Sequence, residues 1–566
     1  MKTTRTPRRR RALLATAMAL ALTLAACGGD ADDAADDPAD DGEVADDGAD
    51  ETTDEDEDAA EEEAPEPTAG GTLIVDTRFG HQSADPHRDG TQESRRVFVA
   101  AYDTLTTFTS NDVSEPQPGV ATSWSSNDDA TVWTFELREG VKFSDGTDMS
   151  VDDVVFSLNR FKNLQGPFSF FLAGITIEPG EGNSVVLTAE ETNVALPFFV
   201  SYPKMAIVPA EQVRAAGGTD AADAADTDDA ESWFEDQGSV GTGPYQIEVW
   251  STTGQLEYAR NDNYWGEPAN FDRIVLVDAE PQTQLLNVQT DRTDLAVDLT
   301  IDQLGAIDPS GIQIVEDVSP IVFYAFLNLD AGASEVSANA DFREAVRYAL
   351  DYEALGELFG DDARQACGLV PSMVLGALDT SECVSQDLDR AQAALERSGI
   401  SEPSITMEYI SDFATDGISH GTVSERIQAQ LREAGIEVEL RSSPLATQLD
   451  RYRSNTTPMH FWSISMRHPD VSSYVVALSD GGGNAAPAGL TADSLPEAQD
   501  LAEQILAATS DAEREPLVQE WQRVLNEEGP FLPLFQSARV LVGSEDLVGL
   551  ESHPLYVIDI RNIGRS

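Results

Sequence analysis

The chain has 566 residues, room for more than one domain, and its 102 acidic against 35 basic residues give a formal net charge of −67. Such a composition offers no basic patch to neutralise phosphates, which excludes nucleic acid as a partner. The acidity continues into 220–236, well past the N-terminal region, and so describes a strongly hydrated surface as well as a tail.

The N-terminus reads as an export signal. Lys2, Arg5 and Arg8 to Arg11 form a basic segment, and 12–24 is an apolar run too short to favour a membrane span. Leu24-Ala25-Ala26-Cys27 fits a bacterial lipobox, so 1–26 is expected to be removed as a signal peptide and Cys27 to carry a diacylglycerol. Two acyl chains anchor a protein stably where one is marginal. Residues 27–69 are almost wholly Asp, Glu, Ala, Gly and Pro, which leaves too little apolar surface to offset the entropy of ordering. This stretch is expected to be a disordered, self-repelling tether. The run Asp54-Glu55-Asp56-Glu57-Asp58 lacks the turn glycine and terminal glutamate of a calcium loop and reads as a solvated spacer. No later stretch is long and apolar enough to span a membrane, so the body is expected outside the cell membrane. In that compartment Cys367 and Cys383 can form a disulfide, the alternative being two free thiols.

Short strands near 73–76, 185–188 and 274–277 alternate with helices near 342–351, 423–434 and 513–526, an α/β pattern. Trp133, Phe135 and Leu137 alternate with Thr134, Glu136 and Arg138, the period of a half-buried strand. Asp145-Gly146 supplies a tight turn. Ser150 and Asp153 resemble a capping box, and the helix they open has Val154, Val155, Leu158 and Phe161 on one face. Further on, Gly417-Ile418-Ser419-His420-Gly421 fits G-x-S-x-G. A nucleophile elbow needs its serine directly between strand and helix. Here the strand-like run ends near Ile410 and polar residues follow, so no enzyme is expected.

Six strings occur in a familiar order: 118–124 (PGVATSW), 133–159 (WTFELREGVKFSDGTDMSVDDVVFSLN), 240–245 (VGTGPY), 260–265 (RNDNYW), 326–328 (FLN) and 341–351 (DFREAVRYALD). Together they resemble the peptide and nickel class, family 5, of extracellular solute-binding proteins, which serve ATP-driven importers. The resemblance runs from about Gly71 nearly to the C-terminus. It implies a two-lobe, Venus-flytrap α/β fold. Lobe one would span 70–277, with an inserted subdomain at about 97–196 and a C-terminal return at 533–566. Lobe two would span 278–532. The crossovers would lie near 277–282 and 529–534, where Pro281, Pro530 and Pro533 punctuate the chain. The implied function is capture of a peptide or peptide-like solute and its delivery to the permease and ATPase of an ABC importer. The protein would be a lipid-anchored monomer with no cofactor, no metal and no catalysis. A nickel chelate, opine, sugar or other solute, or a ligand-presenting sensor role, is the alternative.

The resemblance also marks pocket positions. Asp89, Gly90 and Thr91 match residues that meet the ligand backbone, and glycine there permits close approach. Phe168 matches an aromatic wall of the subdomain and Tyr324 another on a strand of lobe two. In peptide-binding relatives a tryptophan is followed three residues later by an aspartate that pairs with the ligand's α-amino group, and by a proline four further on. Trp462 and Pro469 hold that register, but the acidic position is Ser465. A hydroxyl cannot supply the counter-charge a buried ammonium needs. Either Asp470 or Asp89 takes the cation, or the ligand has no free N-terminus, or it is no peptide. Ser463 and Ser465 are expected as hydrogen-bonding groups. His81, His87, His460 and His468 fall in or beside these segments but lack a metal-ligand spacing, and a structural or solvent role is expected for most of them.

Overall fold

The computed structural model describes residues 68–566 apart from Gln92, Asp361, Asp362 and Phe413. The expected signal peptide, lipidated Cys27 and the tether up to residue 67 lie outside the described residues. Strand β1 (Thr72–Thr77) is mostly buried because it has parallel neighbours on both edges, at 273–278 and 295–296. Helix α1 (Ser94–Ala101) follows, and Arg95 is its one residue that is not buried.

The chain next makes a separate antiparallel sheet from β2 (Ala121–Ser126), β3 (Val132–Leu137), β4 (Thr176–Pro179) and β5 (Ser184–Thr188), in the order β2-β3-β5-β4. Phe135 and Leu137 of β3 are buried and Trp133 is half-buried, so the alternation read from sequence is real. Gly146 sits at φ +88° in the turn after β3, where its N–H donates to Phe143 O at 2.9 Å. Helix α2 (Val151–Asn163) begins with a reciprocal capping box between Ser150 and Asp153, and it buries Val154, Leu158 and Phe161 against this sheet.

Strands β6 (Tyr245–Val249), β7 (Gln255–Arg260) and β8 (Arg273–Asp278) extend the main sheet from β1. After β8 the chain turns into helix α3 (Pro281–Val288) and comes back beside β1 as β9 (Leu295–Ala296). It leaves this half of the sheet only along β10 (Ile312–Leu327). Further strands of the main sheet are β11 (Ser404–Ile410), β12 (Glu437–Ser443), β13 (Met459–Ile464) and β14 (Phe531–Ser544). The order along the sheet is β12-β11-β13-β10-β14-β9-β1-β8-β7-β6, and the short strand Arg364–Gln365 pairs with β14 off this path. β10 and β14 are therefore the two connecting strands. They pair antiparallel with breaks in register between Val318 and Val322 and between Phe323 and Tyr324. Pro320 and Pro533 lie at those breaks and cannot donate to the ladder. The first crossover thus differs from the expected 277–282. Pro281 opens a helix, where its fixed φ and missing N–H cost nothing, instead of marking a change of lobe.

Core clusters agree with this path. Ile558, Ile560 and Ile563 near the C-terminus are buried with Leu73 and Val75 of β1. In the other half, Phe342, Ala345 and Val346 of helix α4 (Ala340–Ala349) are buried with Met407, Phe461 and helix α5 (His420–Glu433). On its other face α4 aims Arg343 and Arg347, four residues apart, at the carbonyls of Glu527, Glu528 and Gly529. Those carbonyls end helix α7 (Asp511–Glu527), which helix α6 (Ser472–Leu478) precedes in the chain. Cations at a helix C-terminus offset its partial negative charge.

Cys367 and Cys383 form a disulfide across a separation of 16 residues. Closing a loop of that size stabilises by about 3 kcal/mol through the unfolded chain. The double substitution Cys367→Ala/Cys383→Ala should lower unfolding free energy by about that amount in urea. An unchanged midpoint would show that the loop contributes no constraint.

Candidate functional site

The loop after β1 is held by charge pairs within the protein. Arg160, fully buried on α2, donates to both carboxylate oxygens of Asp85 at 3.0 and 2.6 Å and to both of Asp228 at 2.8 and 2.9 Å. His87 closes the cluster, with Nδ1 at 3.0 Å from Arg160 and Nε2 at 2.9 Å from Ala206 O. Burial, then the neighbouring Arg160, pushes His87 down to about 4, so it is a neutral acceptor toward the guanidinium.

Asp89 is also spent internally. Its carboxylate accepts from the N–H groups of Gln82, Ser83 and Thr91 at 2.6, 3.0 and 2.8 Å and from Thr91 Oγ1 at 2.8 Å. Lys204 Nζ lies 3.4 Å away and donates to Asp89 O at 2.8 Å and to Thr91 O. Burial raises the Asp89 carboxyl, but these hydrogen bonds and Lys204 outweigh it and hold the group below its usual range. Asp89 is therefore not an open counter-charge for a ligand ammonium, and the Thr91 hydroxyl is committed to it. Gly90 is exposed, and a Cβ on it would come to 3.3 Å from Pro167. Phe168 is half-buried beneath the same lysine, whose Nζ stands 4.4 Å from the ring centroid.

The opposite wall comes from β13 and the residues after it. Trp462 is half-buried and stacks on Tyr452 with centroids 4.4 Å apart. Tyr324 faces Trp462 across the β10–β13 ladder, but it is fully buried. Its hydroxyl lies 3.3 Å from Tyr452 Oη and accepts from Asn484 Nδ2 at 2.9 Å. The expected wall with an accessible hydroxyl is thus a core tyrosine that supports Trp462 through Tyr452. Ser463 and Ser465 both keep accessible surface. Asp470 does not: it is buried and forked by Arg514 at 2.8 and 2.7 Å, with the Ser472 N–H at 2.8 Å. Burial pushes its carboxyl up, and the Arg514 bonds more than offset that. Asp470 is a structural ion pair, and the expectation that it receives a ligand cation is corrected.

Apart from His468, the residues lining the accessible space were not singled out from sequence, and none of Gly90, Phe168, Trp462, Ser463 or Ser465 lines it. A cavity of about 830 Å³ lies between the subdomain and the second half of the chain, lined by Phe171, Phe199, Arg467, His468, Val476 and Leu506 among others. The rings of Phe171 and Phe199 stand 5.4 and 4.6 Å from that of His468, so the two walls touch. Arg467 lay inside the segment already marked by Trp462 and Pro469, but its open position depends on Asp470 having chosen Arg514. Arg95 of α1 donates to Met466 O at 3.3 Å. It keeps accessible surface, yet burial lowers its pKa.

Among the described residues no group of three His, Cys, Asp or Glu is arranged to hold a metal. His81 and His460 have ring nitrogens committed to Ser251 O at 2.6 Å and to Gln448 and Phe461 O at 2.8 Å each. Ser419 is exposed at the start of α5, and the neighbouring His420 turns its Nε2 to Thr415 at 3.1 Å.

The model of the bacterial extracellular solute-binding proteins, family 5 (middle region), matches residues 115–486, well over half the chain. The probable D,D-dipeptide-binding periplasmic protein DdpA of Escherichia coli K12 is 23% identical over 441 residues, covering 77% of this chain and 82% of that protein. The di/tripeptide-binding protein 2 of Pseudomonas aeruginosa is 24% identical over 518 residues, covering 87% and 94%. In fold, HbpA2 from Haemophilus parasuis superposes with a TM-score of 0.75 at 19% identity, over 88% of this chain and 100% of that one. Members of this class bind and do not catalyse. With a two-lobe α/β fold, two connecting strands and a cavity between opposed walls, the chain belongs to family 5 of the bacterial extracellular solute-binding proteins of ABC importers.

Proposed function

We propose that this protein captures a peptide or peptide-like solute outside the cytoplasmic membrane and hands it to the permease and ATPase of an ABC importer. A diacylglycerol on Cys27 would hold it, as a monomer, at the outer face of that membrane. Lobe one would run from about 70 to 311 with an inserted subdomain near 97–196 and the return after residue 544. Lobe two would take 328–530, with β10 and β14 as the hinge. A solute touching both walls stabilises the closed arrangement by its differential affinity for it.

The observation that carries this reading is the cavity itself. Its volume of about 830 Å³ suits a small solute. Its walls come from segments more than 250 residues apart that meet at Phe171, Phe199 and His468. The names of the Escherichia coli and Pseudomonas aeruginosa relatives add support for peptides as the solute class. The test is the melting temperature of the purified protein against di- to pentapeptides, with and without free amino termini. A ligand at one hundred times its dissociation constant stabilises by about 2.7 kcal/mol. Trp462→Ala should weaken the best peptide by roughly tenfold or more while the protein still melts cooperatively. No shift with any peptide would overturn the peptide assignment, and unchanged affinity in Trp462→Ala would remove Trp462 from the site.

A further inference from the structure

A short hairpin is seated on the two connecting strands, on the side away from the cavity. Ala414–Thr415 and Ile418–Ser419 pair antiparallel around Asp416-Gly417, whose φ values of +47° and +74° make the tight two-residue turn that this dipeptide favours. Ile418 is buried with Phe323 and Phe461, and the ring of His420 stands edge-on to both. Val322 and Tyr324, the neighbours of Phe323 in β10, are buried instead with Met466, Val471 and Val475, which interleave with the cavity-lining Arg467, Ser472 and Val476. Successive residues of a strand face opposite ways, so the hairpin and the cavity lie on opposite faces of the sheet.

The hairpin tip reaches both connecting strands where their ladder is broken. Asp416 Oδ2 accepts from Ser319 Oγ of β10 and from Ser537 Oγ of β14, the latter at 3.3 Å, and Oδ1 lies 3.7 Å from Arg539 Nη2. Ser319 and Pro320 fall in the interval between Val318 and Val322 where pairing lapses, and Gln536 Nε2 donates to Ser319 O there at 2.8 Å. Side chains thus replace backbone bonds at the point where the two strands can bend. Beyond the strands the tip meets the first half of the chain. Gly417 packs so closely on Thr300 that a Cβ would come to 2.6 Å from Thr300 Cγ2. Thr300 forms a capping box with Gln303 at the start of the helix Ile301–Leu304, and that helix packs on Val288, Leu299 and Val540. Gly360 presses on the same helix: a Cβ there would stand 2.8 Å from Ile301 Cδ1.

We propose that the Asp416-Gly417 hairpin is a stop behind the hinge, which limits how far the lobes open. Lobes that pivot about β10 and β14 bring their rear faces together as the cleft opens at the front. In this arrangement the front walls touch at His468 and Gly417 already touches Thr300, so opening drives that rear contact into overlap. Asp416 keeps the tip in place by holding both strands. The hairpin touches no solute, yet it sets the energy difference between open and closed arrangements. It thereby sets the affinity for any solute that binds the closed one. This rests on the two-lobe hinge reading above and is independent of the class of solute.

The test needs no solute. Spin labels at Glu191→Cys and Glu503→Cys, two exposed residues on opposite walls of the cavity, report the lobe separation by pulsed dipolar spectroscopy. The full chain carries Cys27→Ser for this purpose, and Cys367 and Cys383 are bonded to each other. Thr300→Ser removes the methyl that faces Gly417 and keeps the capping hydroxyl, so the longest separation in the ligand-free protein should increase. Asp416→Gly keeps the turn, removes the carboxylate and should act in the same direction. Gly417→Asn adds a side chain that tolerates positive φ. It should lower the open fraction by roughly fivefold or more, the effect of crowding a filled contact, and Thr300→Ser added to it should restore part of that fraction. Two separations in the parent, unchanged in every variant, would overturn the stop and leave the hinge standing. A single separation in the parent and in every variant would overturn the hinge reading together with the stop. A higher open fraction in Gly417→Asn would overturn the stop by showing that rear crowding favours opening.

Discussion

Replacing Arg160 by methionine should destabilise the protein by about 3–5 kcal/mol, the range seen when one member of a buried ionic group is removed. The side chain is fully buried and spans Asp85 and Asp228, whose side chains are also wholly inaccessible. Methionine fills a similar volume, so the loss would come from two carboxylates stranded in an apolar setting. Arg88 approaches both, at 3.5 Å from Asp85 and 2.9 Å from Asp228, and sets the lower bound by retaining part of the compensation. Arg160→Lys should fall between parent and methionine, because an ammonium is a point charge and cannot fork onto two carboxylates at once. Urea unfolding measures all three. A methionine variant within about 1 kcal/mol of the parent would mean that Arg88 alone neutralises the pair. The cluster fixes the loop from which Gly90 reaches the surface, so the folded variant should also bind solute less tightly.

That cluster shows where sequence reading succeeds and where it stops. The capping box of Ser150 and Asp153, the turn at Gly146 and the alternation in β3 were legible because each is settled within a few residues. Partnerships were not. Asp89 finds Lys204 at a separation of 115 residues, and Asp470 finds Arg514 at 44. Nothing local distinguishes a carboxylate that will be paired from one left open for a ligand. Pro281 was legible as punctuation but equally consistent with a crossover or a helix start. The absence of an acid at Ser465 was visible at once, since it needs only the register from Trp462 to Pro469. That Arg467 lines the cavity was not, because it could as well have paired with Asp470, which takes Arg514 instead. Tyr324 was assigned to the correct strand, but its depth depends on Tyr452 and Asn484 from two other segments.

Acidification should destabilise the protein steeply between about pH 6.5 and 5, before most carboxylates begin to titrate. All six histidines are buried, at 4% exposure or less. Burial is the leading cause in each case: it pushes His87, His420 and His468 down to about 4 and His460 and His553 to about 3, and it lowers His81 as well. In the unfolded chain each titrates near 6.5. Above that value neither state carries the proton and the histidines cost nothing. As pH falls below it the unfolded chain binds protons that the folded one refuses until about pH 4, so stability drops with each step. Each histidine contributes a slope of up to about 1.4 kcal/mol per pH unit in that window. The depressed Asp89, Asp228 and Asp470 act in the same direction but only at lower pH, below the unfolded carboxylate value of about 3.9. The repulsion within a chain of net charge −67 acts oppositely, and it too is relieved only as carboxylates protonate near pH 4. Asp103, which burial raises to about 6, takes up a proton in the folded state within the same interval and offsets about one imidazole, so the six imidazoles still dominate between 6.5 and 5. Melting temperature should be level from pH 8 to 7 and fall sharply below 6.5, and His460→Gln should make the fall shallower by one proton's worth of slope. A melting temperature constant to pH 5 would mean that the folded protein protonates its histidines as readily as the unfolded chain does.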